Sequence, residues 1–154
     1  MAKCYQLVGV PGSGKSTWIK NQDWATDCAI VSTDMWVDME AERVGKTYSE
    51  IFDEYMPKAV QLMASHVELA RDLNRDIIWD QTSTTEGARR RKFNMLRDYE
   101  HIAVVFKTPE MAELKRRLAS RPGKNIPSHV MAQMIKGFVM PTLDEGFIEV
   151  RYVD

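Results

Sequence analysis

The sequence has no run of eighteen apolar residues, so nothing in it reads as a membrane span. Its first residues, Met1 to Val8, lack the long apolar core of an export signal, which points to a cytoplasmic protein. There are only two cysteines, Cys4 and Cys28, each inside an apolar run. Without an export route they are expected as reduced, buried thiols and not as a disulfide. No Cys/His cluster has zinc spacing. Repeats, low-complexity tracts and Pro- or Ser-rich linkers are also missing, so the 154 residues read as one domain around one core. Excess charge is missing too: the net of −1 does not by itself call for a polyanionic partner.

The charge is unevenly spread. Residues 86–124 hold eleven Lys/Arg against five Asp/Glu, a surplus of six, which leaves −7 for the rest. Such asymmetry marks either an anion-binding side or solvated helix faces. Apolar runs alternate with helical stretches. Strands are expected at Cys4–Val10, Cys28–Ser32, Asp76–Asp80, His101–Lys107 and Phe147–Val153. The first four read as nearly continuous apolar runs, as parallel strands covered on both faces should, and the alternating fifth reads as an edge strand. One helix is expected to start within Gly14–Thr17. A long one should run from about Ser49 to Leu73, opened by a Thr47-x-x-Glu50 capping box, kinked or restarted at Pro57, and burying Val60, Met63, Val67, Ala70 and Leu73. Others should follow Thr84/Thr85, begin at Pro109 and begin near Pro127. The pattern predicts an α/β fold, a parallel sheet of about five strands with helices on both faces.

Gly9-Val10-Pro11-Gly12-Ser13-Gly14-Lys15-Ser16 fits G-x-x-x-x-G-K-[ST] at every fixed position, with a strand before it and a helix after it. Such a loop turns successive backbone N–H groups into one anion-binding nest at a helix N-terminus. The expected ligand is ATP with Mg²⁺: Gly9, Pro11, Gly12, Ser13, Gly14, Lys15, Ser16 and Thr17 would hold the nucleotide, with Lys15 on the β- and γ-phosphates and the Ser16 hydroxyl on the metal. Asp34 follows the second strand, where a carboxylate can take the proton of an attacking hydroxyl; a helix cap is the alternative. Asp80 closes the third strand in a Walker-B-like way and is a second candidate metal ligand, or a turn residue. Gln81 and Thr82, just beyond it, are candidate acceptor contacts. Arg117 and Arg121, four apart before Pro122-Gly123, fit a lid whose guanidiniums meet charge on the transferred phosphoryl, or a basic helix end facing its dipole. Trp36 is a candidate stacking surface or a packing residue. The three histidines read as structural.

In this order the motifs resemble the kinase domain of the phage and animal polynucleotide 5′-hydroxyl kinases. The resemblance rests on residues 9–17, Ser32-Thr33-Asp34, Ile77-Ile78-Trp79-Asp80-Gln81-Thr82, the Arg-rich stretch 115–127 and the tail 141–147. It implies a P-loop kinase fold, Asp34 as general base, Arg121 as lid arginine, and the 5′ ends of DNA or RNA as partners. The sequence departs from the family at two points. Thr33 precedes Asp34 where the family often has arginine. The position of a further acceptor-gripping arginine is Val37, which leaves Arg43 as the nearest substitute, with Arg89 a second candidate for tracking an acceptor strand. Residues 34–54 are acidic, which suits a small hydroxyl substrate such as a nucleoside or nucleotide equally well. A non-transferring ATPase or switch is a third reading.

Overall fold

The computed structural model describes all of residues 1–154. Its framework is one five-stranded parallel sheet: β1 (Lys3–Val8), β2 (Ala29–Val31), β3 (Ile77–Trp79), β4 (Glu100–Phe106) and β5 (Glu149–Val153), in the spatial order β2-β3-β1-β4-β5. Register is set centrally, with Tyr5 beside Ile78 on one flank and Ile102 on the other. All five expected strands are present, β1 and β4 starting one residue early and ending early and the others shorter, and β5 is an edge as its alternation foretold.

Alternate residues divide into two cores. Cys4, Ala29, Val31, Ile77 and Trp79 face one side and are covered by α3 (Tyr48–Asp72), with Leu96 just past α4 (Glu86–Met95). Tyr5, Leu7, Ile78, Ile102, Val104 and Phe106 face the other, under Trp18 and Ile19 of α1 (Lys15–Lys20) and Trp24 of a 3-10 turn. Fully burying a side chain such as Leu7 or Phe106 contributes roughly 1.5–3 kcal/mol. The remaining helices are α2 (Asp34–Val44), α5 (Met111–Ala119) and α6 (Ser128–Lys136). Val10, Leu114 and Met131 join α5 and α6 to the loop after β1. Cys4 and Cys28 are buried free thiols. No helix is long and apolar enough to cross a membrane.

The capping box at α3 forms as read: Thr47 Oγ1 accepts from Glu50 N–H at 3.2 Å and Glu50 returns the bond to Thr47 N–H at 2.9 Å. Three expectations need correction. α3 does not restart at Pro57: it runs as one helix through it, and Pro57 and Asp53, whose carbonyl loses its partner, are both exposed, so that carbonyl is open to solvent. Met63, Val67 and Ala70 are buried as expected and Ile51 and Ala59 complete the stripe, whereas Val60 and Leu73 are exposed. α5 begins at Met111, two residues after Pro109, with Glu110 as its cap residue.

Candidate active site

A cavity of about 730 Å³ lies beyond the carboxyl ends of the strands, and every strand sends residues to it. This is where ligands bind in open parallel sheets. Pro11 to Thr17 form its floor, Asp34 follows β2, Asp80, Gln81 and Thr82 follow β3, Phe106 ends β4, and Val153 and Asp154 end β5. Arg116, Arg117 and Arg121 come from α5 and the turn after it.

The loop after β1 bends through Gly12 and Gly14, whose φ values of 83° and 104° belong to the left-handed region that side chains disfavour. Gly9 lies outside the cavity lining. A Cβ there would sit 2.9 Å from Phe106 Cβ, so Gly9 lets the loop close against β4. Lys15 Nζ donates to the carbonyls of Gly9 and Val10 at 2.8 and 2.9 Å. Burial brings its pKa down to about 8, against the opposing charges of Asp80 and Asp34. The Ser13 hydroxyl is buried in the same loop without a partner. A polar atom left unserved beneath a nest of glycine turns and an ammonium ion is what an anion cradle presents before its ligand arrives.

Two carboxylates face this floor. Asp80 is half-buried, and burial pushes its carboxyl above the usual range, Lys15 opposing and Asp34 adding to the rise. Asp34 is the first residue of α2 and exposed. It caps nothing: Ser32 Oγ takes the Met35 N–H instead. Asp34 Oδ1 accepts from the Tyr48 hydroxyl at 2.5 Å. Gln81 is fixed from both ends, accepting from Trp79 Nε1 at 3.0 Å and donating to Thr33 Oγ1 at 3.3 Å. Thr82 anchors the loop by accepting Gly9 N–H at 2.9 Å.

The expectation of one helix face carrying Arg117 and Arg121 is corrected: α5 ends at Ala119, and Pro122 forbids its continuation. Both side chains reach the cavity nonetheless. Arg117 donates to Glu113 at 2.8 Å and to the Gly12 carbonyl at 2.9 Å, pinning α5 to the loop. Arg116 also holds Glu113, and the two arginines keep that carboxyl well below its usual range. Arg121, half-buried, has no carboxylate partner and is the uncommitted guanidinium of the site.

Three candidate acceptor contacts do not line the cavity. Arg89 is fully buried, donating to Glu145 at 2.8 and 3.1 Å and to the Ser83 carbonyl at 2.9 Å; it ties α4 to the turn before β5. Arg43 pairs with Glu40 on the exposed face of α2, nine residues from Asp34 and so roughly 14 Å along the helix axis. Trp36 packs between α2, α3 and the sheet, edge-on to His66 at 6.2 Å, with its indole N–H buried and unpartnered. Tyr48, Trp18, Asn21 and Asp154 belong to no motif. Trp18, one turn after Lys15, and Asp154, directly after β5, have chain positions that place them at the cavity.

A parallel sheet, a phosphate-type loop after β1 and an arginine-bearing lid define a P-loop domain with a kinase-like fold. A family model described as an AAA domain matches residues 6–141, and the chain belongs to that family. Among curated proteins it is 27% identical over 159 residues to mouse heterogeneous nuclear ribonucleoprotein U-like protein 2, covering 95% of this chain but 21% of that protein. The chain thus spans about a fifth of the length of the curated relatives it matches. Among solved structures, a putative kinase from Chloroflexus aurantiacus superposes with a TM-score of 0.72 at 14% identity, covering 99% of this chain and 85% of that one. A chain of the Pnkp1/Rnl/Hen1 RNA repair complex gives 0.65 at 23%, covering 88% and 43%. A sugar kinase from Janibacter gives 0.62 at 17%, covering 100% and 86%. At these identities the likeness is one of fold.

Proposed function

We propose that this chain is an ATP- and magnesium-dependent phosphotransferase with a hydroxyl acceptor, acting as one P-loop kinase domain over residues 1–154. One observation supports it above others: Lys15, Ser16, Asp34, Asp80 and Arg121, drawn from four separate segments, line a single cavity. In this reading the loop N–H groups and Lys15 bind the phosphates, and Ser16 and Asp80 hold Mg²⁺. The metal neutralises charge on the β- and γ-oxygens when bound. Asp34 accepts the proton of the acceptor hydroxyl as its oxygen bonds to the γ-phosphorus. The bond from that phosphorus to the β–γ bridging oxygen breaks, and ADP leaves. Arg121 meets the charge that grows on the transferred group, with Arg117 holding the loop in place.

The acceptor favoured here is a 5′-hydroxyl end of DNA or RNA, for which the motif order and the fold shared with the RNA repair complex speak. A small hydroxyl substrate is the second reading. Its support is the burial of Arg89 and the pairing of Arg43 with Glu40, which remove two of the cations expected to contact an acceptor strand. Labelled ATP offered to 5′-hydroxyl oligonucleotides, nucleosides and nucleotides separates the two by which acquires the label. Hydrolysis with no labelled acceptor would sink both. Asp34→Asn should lower kcat by about 10²-fold or more with little change in ATP affinity. A loss confined to ATP affinity would make Asp34 a nucleotide-side residue.

A further inference from the structure

The turn that carries Arg121 is tied to the helices opposite. Gly123 packs on Thr47 so closely that a Cβ there would lie 2.9 Å from the threonine Cβ. The Gly123 carbonyl accepts Ser49 N–H at 3.0 Å, and Ser49 Oγ accepts Asn125 N–H at 2.8 Å. Lys124 reaches Asp38 at 2.9 Å, and its ammonium lies 4.8 Å from the centre of the Tyr48 ring. Tyr48 in turn donates its hydroxyl to Asp34. Lid, tyrosine and carboxylate form one chain of contacts.

We propose that Tyr48 is a positioning residue for the Asp34 carboxylate, and that residues 121–125 latch it, so that seating Arg121 and aiming Asp34 are one event. The inference rests on Asp34 being the proton acceptor. Asp34 is exposed, and an exposed carboxylate needs no protein partner for its solvation. What the bond does is fix direction: with Oδ1 engaged, Oδ2 is left for the acceptor hydroxyl. The donor is itself confined, its ring half-buried, tilted against Phe52 at 5.4 Å and covered by Lys124. Burial, followed by the bond to Asp34 and the charges of Asp34 and Asp38, lifts the Tyr48 hydroxyl above its ordinary range, with Arg121 opposing. The phenol therefore keeps its proton and stays a donor to Asp34. Loss of the lid contact frees the ring, and loss of the hydroxyl frees the carboxylate.

The test uses the whole chain and two readouts. In ATP-free protein, amide exchange at Ser49 and Asn125 reports lid docking. Lys124→Met should speed both by about tenfold and leave Val67 in the core of α3 unchanged. In transfer assays Tyr48→Phe should lower kcat by about tenfold or more while the KM for ATP stays within about twofold. Lys124→Met should lower kcat as well, and the double variant should lose less than the product of the two single losses. Wild-type kcat in Tyr48→Phe, or multiplicative losses in the double variant, overturns the proposal while an inactive Asp34→Asn leaves the base reading standing. Full activity in Asp34→Asn overturns the base reading itself. Equal exchange in wild type and Lys124→Met overturns the latch whether or not any acceptor has been found.

Discussion

Lys15 is an ammonium ion that has lost most of its water and found two backbone carbonyls in return. That trade is unfavourable for a cation, which is why its pKa falls to about 8. On the proposed function, an incoming phosphate would supply the missing negative charge. Lys15→Met should therefore cut phosphoryl transfer to below about a hundredth while leaving Tm unchanged or higher, since it removes a poorly solvated charge from the fold. Wild-type turnover in the folded variant would show that the loop does not act on phosphate. Arg121 differs because its guanidinium is uncommitted. Arg121→Ala should lower kcat by about 10²–10³-fold and weaken ATP binding far less, as expected of a charge needed only in the transition state. A raised KM at constant kcat would reduce it to a binding residue. Most cavity residues legible in the sequence lie just beyond a strand end or within the loop, because chain position alone brings them to the carboxyl edge; Arg117 and Arg121 were legible from their spacing before Pro122-Gly123. Arg89, Arg43 and Trp36 have chemistry suited to a site but sit on the wrong faces, and residue type carries no facing. Tyr48 was illegible for another reason: its bond to Asp34 spans fourteen residues and exists only once α2 and α3 fold back on one another.

Among the elements, α3 shows what a local signal settles. The capping box marked Thr47 as the cap, since both bonds lie within one turn, and the helix begins at Tyr48, one residue before the expected start. The buried stripe was read correctly at Met63, Val67 and Ala70 and missed at Val60, because Val60 is more apolar than Ala59, yet it is the small Ala59 that packs against α2. As an element, α2 was not marked by periodicity: Val37 and Ala41 alone are buried among charged residues. α4 carries a consequence for stability. Lys92 is buried, with its ammonium 5.3 Å from the centre of the Trp79 ring, and desolvation lowers its pKa to about 8 from an ordinary 10.5. Below pH 8 the lysine is charged in both folded and unfolded chains, and the full penalty of burying the charge is present. Between about 8 and 10.5 the folded state sheds the proton first, the unfolded state binds more protons, and stability rises with pH. Lys92→Met should accordingly raise Tm at neutral pH, and that advantage should shrink as pH climbs from 8 towards 10.5. Thermal melts of the two proteins across that range provide the check. A constant difference would mean that Lys92 is well solvated through its contact with the Ala88 carbonyl.

At the scale of the whole molecule the basic segment 86–124 proves not to be one surface. Arg89 and Lys92 are buried, Arg90 pairs with Glu86, Arg116 and Arg117 share Glu113, and Arg121 lines the cavity. On α2, Asp34, Asp38 and Glu42 are exposed, and Lys124 is engaged by Asp38. A polynucleotide entering there meets at most one or two cations per strand end. Single strands lose about 0.7 of a log unit in affinity per log unit of salt for each phosphate contact, so the slope should lie near −1 and no steeper than about −1.5. Initial rates at saturating ATP, with 5′-hydroxyl oligonucleotides of increasing length from about 50 to about 200 mM salt, measure it. The same rates with a nucleoside give the baseline without phosphates. The expected outcome is that a short oligonucleotide exceeds the nucleoside and that further length adds little, because no cationic track extends beyond the site. A slope near −4 would require more phosphate contacts than this surface offers and would move the acceptor path to another face. Equal rates for nucleoside and oligonucleotide, with no salt dependence beyond that of ATP, would make the small hydroxyl substrate the true acceptor.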